Sequence, residues 1–84
     1  MAQPKLTVTI TSPERLIYSG SASSVTFPGE RGTFEVLPLH RPLVSRLIAG
    51  VVMVDGRTLP IRRGAVRVMA DLVTAVVEVR GASR

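Results

Sequence analysis

Apolar and polar residues alternate with a period of two along almost the whole chain. Leu6, Val8 and Ile10 alternate with Thr7, Thr9 and Thr11, the pattern of a strand with one buried face. Ser12-Pro13-Glu14 ends it, because proline lacks the ladder donor and restricts the residue before it. Leu16-Ile17-Tyr18 predicts a short second strand stopped at Ser19-Gly20, and Ser23, Val25 and Phe27 form the inward set of a third. Pro28-Gly29-Glu30-Arg31-Gly32 reads as a turn. Beyond it Phe34 and Val36 face one way while Thr33, Glu35 and Leu37 face the other.

Pro38-Leu39-His40-Arg41-Pro42 is a proline-bracketed loop that fits neither a helix nor a central strand. Leu43 to Ala49 is read as extended, with Gly50 bending the chain before Val51 to Val54. Asp55-Gly56 suits a two-residue type I′ hairpin turn. Arg57 to Ile61 returns as its partner, held to an edge or a bulge by Pro60. Gly64 is expected to interrupt before Ala65 to Met69, and Asp71-Leu72 to turn the chain. Val73, Ala75, Val77 and Val79 make the last strand, before a polar tail from Gly81 to Arg84. No segment has a 3.6 period. The pattern predicts an all-β fold of about eight to ten short strands, in two packed sheets or a barrel.

Eighty-four residues at +5 make one domain, 1–84, with an ordered core expected at about 5–80. Apolar residues at 45% are too many for a disordered chain, and the absence of cysteine excludes a disulfide scaffold and a thiolate metal site. A single histidine cannot build a multi-histidine zinc centre. No segment has the continuous apolar run of a secretory signal or a membrane-spanning helix, so an intracellular, soluble protein is expected. Residues 43–84 hold seven of the eleven basic side chains, and ten of the eleven are arginine. Arginine's planar fork suits carboxylates and phosphates, so an acidic protein surface and nucleic acid are both candidate partners.

Catalytic patterns are missing. There is no Gly-x-Ser-x-Gly elbow and no phosphate loop ending in Gly-Lys-Ser/Thr. Glu14, Glu30, Glu35, Asp55, Asp71 and Glu78 all sit at turns or strand positions where a solvated surface charge accounts for them. His40 has two readings: a polar contact on a loop stiffened by Pro38 and Pro42, or a side chain bonded to its own backbone. Arg57, Arg62, Arg63 and Arg67 could form a phosphate-binding strip. That hairpin has no aromatic residue on which a base could stack.

The stretch from Phe27 to Leu43 resembles the F-type ATP synthase epsilon subunit, whose pattern is roughly Pro-Gly-x-x-Gly-x-φ-Gly-φ-Leu-Pro-Gly-His-x-Pro-Leu, with φ apolar. Ser12-Pro13, Tyr18-Ser19-Gly20, Leu47 to Val51, Gly64 to Val68 and Val73 to Val77 fit the same family in order. Glu35 and Leu39 replace two of its glycines, so a different backbone is expected before His40. The resemblance implies a small β-sandwich in the rotor, doing no chemistry and carrying no cofactor or metal. Ser12, His40, Arg41, Pro42, Leu43 and Ser45 would lie against the gamma subunit. Gly29, Glu30, Arg31, Gly32, Thr33 and Phe34 would lie toward the c-ring. It further implies a peripheral place on the cytoplasmic face of the bacterial inner membrane. Because the chain stops at Arg84, it also implies coupling without the helical arm that inhibits ATP hydrolysis. The alternative is a stand-alone basic β-domain that binds nucleic acid.

Overall fold

The computed structural model describes residues 4–81 as eight strands: β1 (Leu6–Thr11), β2 (Leu16–Ala22), β3 (Val25–Gly29), β4 (Gly32–Val36), β5 (Leu43–Leu47), β6 (Gly50–Val54), β7 (Arg57–Met69) and β8 (Leu72–Val79). The long strand β7 organises the rest. On one edge it pairs with β6 through Arg57 to Ile61 and with β5 through Gly64 to Val68. On the other edge it pairs with β8. β1 runs parallel to β8, and β2 pairs with β1 as an outer strand. β3 pairs with β6 at Val25 and Thr26, touches β5 at Gly29–Leu47, and carries β4 on its far side.

One extra residue shifts the buried phase of β7 midway along its length. Ile61 faces Val79 and Arg63 faces Glu78, so Arg62 is a bulge. Before it the inward residues are Leu59 and Ile61; after it they are Gly64, Val66 and Val68. The buried phase therefore changes parity, and both Arg62 and Arg63 are left outside.

Most of the alternating positions read from the sequence are the core; Ser23, expected to face inward, is exposed, because it lies before β3 in a bend where Asp55 accepts its N–H. Leu6, Val8, Ile10, Val25, Phe27, Val36, Val52, Val54, Val73, Ala75 and Val77 are buried, and among the described residues no polar side chain is. Phe27 packs against Phe34 with ring centres 5.7 Å apart.

Several expected breaks are not breaks. β2 continues through Ser19-Gly20 because Thr9 and Val8 pair with those residues. Pro28 and Gly29 belong to β3, which leaves Glu30-Arg31 as the whole turn. Gly50 starts β6 rather than bending the chain, because the Pro28 ring lies over it. Gly64 also continues its strand. A β-carbon there would sit 2.5 Å from the Val76 carbonyl oxygen, so close approach of β8, not a turn, requires glycine. Of the expected polar tail only Gly81 is among the described residues; 82–84 lie outside them.

Candidate partner-binding surface

The hairpin tip of β3–β4 and the loop before β5 are brought together by local chemistry. Gly29 and Gly32 flank the two-residue turn, and a β-carbon on Gly29 would lie 2.7 Å from the Phe34 ring. Leu37 to His40 form a second turn, closed by the His40 N–H donating to the Leu37 carbonyl at 3.1 Å. Pro38 and a left-handed Leu39 (φ 70°) give it the residue pattern of a type II turn. That backbone is one glycine adopts freely, so the departure from the family's glycine is accommodated as strain on an exposed leucine.

Asp71 holds this loop in place. Its carboxylate accepts the Leu39 N–H at 2.7 Å, from the turn joining β7 to β8. Asp55 acts in the same way at the other hairpin, accepting the Ser23 and Ser24 N–H groups at 2.9 and 3.0 Å. These two carboxylates are thus clasps between distant segments, not merely solvated charges.

The result is an open groove of about 820 Å³. Gly29, Glu30, Arg31, Gly32, Thr33 and Phe34 line one side of it, and His40, Leu43, Val44, Ser45 and Arg46 the other, with Ala65 beside them. The six residues expected toward the c-ring and three of the six expected against gamma, His40, Leu43 and Ser45, therefore share one concave surface. Arg41 and Pro42 are exposed on the connecting loop. His40 lines the groove, and its Nδ1 bonds the Arg41 carbonyl oxygen at 2.7 Å, as the backbone-bonded reading of this residue expects.

Ser12 is placed elsewhere. It lines a separate depression with Glu14, Arg15, Arg62, Glu78 and Val79. Its hydroxyl accepts the Glu14 and Arg15 N–H groups at 3.3 and 3.2 Å, closing the turn after β1.

The sequence reading passed over one feature. On the outer face of β5, β7 and β8, Val44, Ala65, Met69, Leu72 and Val76 form an exposed apolar surface around Arg67 and Thr74. Cross-strand register assembles it: Val44 faces Arg67, Arg67 faces Thr74, Met69 faces Leu72 and Ala65 faces Val76. The signal was visible as apolar residues on the polar phase of the last two strands. Val44 and Ala65 border both this surface and the groove, making them continuous.

The arginines give no comparable strip. Arg62 and Arg63 project at the bulge, Arg63 lies 3.4 Å from Glu78, and Arg67 belongs to the apolar face. Phe27 is buried, and Phe34 opens on the groove instead. Among the described residues no group of three or more His, Cys, Asp or Glu side chains could hold a metal ion.

Residues 5–80 match the profile of the ATP synthase delta/epsilon chain β-sandwich domain. The chain belongs to that family. The ATP synthase epsilon chain of a Nitratiruptor species is 45% identical over 78 residues, covering 87% of this chain and 60% of that protein. The epsilon chain of Leptospira borgpetersenii is 33% identical over 78 residues, covering 80% and 61%. This delta/epsilon-type chain thus spans about 60% of the length of these relatives. Its fold is shared by a chain of the Tetrahymena thermophila mitochondrial ATP synthase central stalk and c-ring structure, with TM-score 0.77, 15% identity, and coverage of 93% and 66%. A chain of the Euglena gracilis mitochondrial enzyme gives TM-score 0.80 at 21% identity, covering 89% and 51%. The family is a structural part of the ATP synthase, not a catalytic one.

Proposed function

We propose that this delta/epsilon-family domain is a non-catalytic rotor subunit that links gamma to the c-ring, so that ion-driven rotation is coupled to ATP synthesis. The observation that carries the reading is the continuity of the groove with the apolar outer face. Together they offer one joined surface on which two partners can seat side by side. The c-ring loops meet the tip from Gly29 to Phe34. Gamma covers His40 to Ser45 and the apolar face beyond Val44. Burying Val44, Met69, Leu72 and Val76 there supplies the hydrophobic centre that a stable protein interface needs.

A load-transmitting linker has to resist shear, and this one is built of interlocked strands around a close-packed apolar core. Asp55 and Asp71 brace its turns, including the loop that carries His40. No helix among the described residues is long and apolar enough to cross a membrane. The rotor reading places the domain peripherally, at the cytoplasmic face of a bacterial inner membrane, as the bacterial relatives suggest.

The test is co-purification with gamma from the same genome. The wild-type domain is expected to be retained. Val76→Asp, which puts a carboxylate in the middle of the apolar outer face without touching the core, is expected to weaken retention at least about tenfold. A folded wild-type domain that gamma fails to retain contradicts the reading.

A further inference from the structure

The groove contains an empty lane in the sheet. β3 and β5 run side by side only at their ends. The Glu30 N–H donates to the Arg46 carbonyl at 3.2 Å, and the Ile48 N–H donates to the Pro28 carbonyl at 2.9 Å. There β3 stops, because Glu30-Arg31 turns the chain back into β4. β5 continues away from that point to Leu43, still paired with β7 on its other edge.

Alternate residues of a strand direct their N–H and C=O groups to opposite edges. Since the Arg46 carbonyl points toward β3, the Arg46 N–H and both backbone groups of Val44 point the same way, into the groove. Among the described residues no backbone or side-chain group bonds them. Val44 is 79% exposed. The vacated lane beside Leu43 to Arg46 is about 13 Å long, enough for a strand of about four residues.

Its surroundings define what fits. Arg31 and Arg46 line the groove and Arg41 stands on the adjoining loop, against the single lining carboxylate of Glu30. Among the described residues the one ion pair is Arg63 with Glu78, far along the chain from this site, so these three arginines have no internal counter-ion. Phe34, Leu43 and Ala65 add apolar surface.

We infer that an extended, acidic segment of a partner protein adds to the free edge of β5, filling the lane beyond the end of β3. Main-chain bonds to Val44 and Arg46 set its register, and a carboxylate on it pairs with Arg31, Arg41 or Arg46. The identity of the partner rests on the rotor reading, in which gamma covers this side.

Residue-resolved amide exchange of the domain, free and bound to gamma, tests this. In the free domain the Val44 and Arg46 amides exchange quickly while Ser45, whose N–H faces β7, is slow. In the complex both fast amides are expected to slow at least about 100-fold, with Ser45 unchanged. A complex in which Val44 and Arg46 keep their free rates overturns the strand addition and leaves the rotor reading standing. Failure to form any complex removes both. A second variant separates a hydrogen bond from simple covering. Val44→Pro deletes the outward donor while keeping an apolar side chain, and should lower affinity for gamma about tenfold, whereas Val44→Thr, which makes the side chain more polar but keeps the donor, retains most of it. Equal affinities for the two, with the fold intact, contradict the inference.

Discussion

Leu39 and the two clasping aspartates show how much of this surface depends on single backbone positions. Leu39 is held at φ 70° with its side chain 82% exposed, so leucine gains almost no burial there while bearing the left-handed conformation. Leu39→Gly should stabilise the domain by about 1 kcal/mol, read as a rise of about 5 °C in thermal unfolding. Asp55→Ala should cost about 2 kcal/mol in urea unfolding, because it strands the Ser23 and Ser24 amides and places alanine at φ 47°. Asp55→Asn keeps an acceptor and tolerates that φ, so it should lose less than half as much. The Asp55-Gly56 turn was legible in the sequence. The role of the carboxylate was not, since its partners lie 31 and 32 residues away. The Ala70-Asp71 turn was harder still: both residues take positive φ (49° and 63°), for which alanine has no preference.

At the scale of elements, periodicity gave the buried faces of β1, β4 and β8 and of β3 from Val25 onward, and misplaced the ends. Alternation reports which side of a residue is buried, and that depends only on parity. Strand ends depend on what lies alongside. Ser19-Gly20, Pro28-Gly29, Pro60 and Gly64 all carry turn chemistry, yet each is in a strand because a neighbour pairs with it. The two adjacent arginines at 62 and 63 were the visible trace of the bulge, since a strict alternation would bury one of them. At Gly64 the backbone of β8 lies close against β7. Gly64→Ala should destabilise by at least about 2 kcal/mol, because the added methyl meets the Val76 carbonyl and the Val77 backbone and cannot be relieved by a side-chain rotation. Chemical denaturation with unchanged slope would show that the loss is in the native state.

For the whole molecule, the family was legible from its motifs because these mark turns and close approaches that the fold enforces. Of the residues proposed to meet partners, the tip from Gly29 to Phe34 converges with His40, Leu43 and Ser45, Arg41 and Pro42 lie exposed on the loop between, and Ser12 is engaged in its own turn, away from them. The apolar outer face was missed because its members, Val44, Met69, Leu72 and Val76, lie on three strands and become neighbours only through register. The account makes these surfaces the means by which a shaft and a ring turn together. The most direct measurement is ATP-driven ion pumping by ATP synthase stripped of its epsilon chain and reconstituted with this domain, using subunits of the same genome. The account predicts that pumping is restored by the wild-type domain and not by Val76→Asp. ATP hydrolysis without restored pumping, with the domain folded and present in excess, would contradict it.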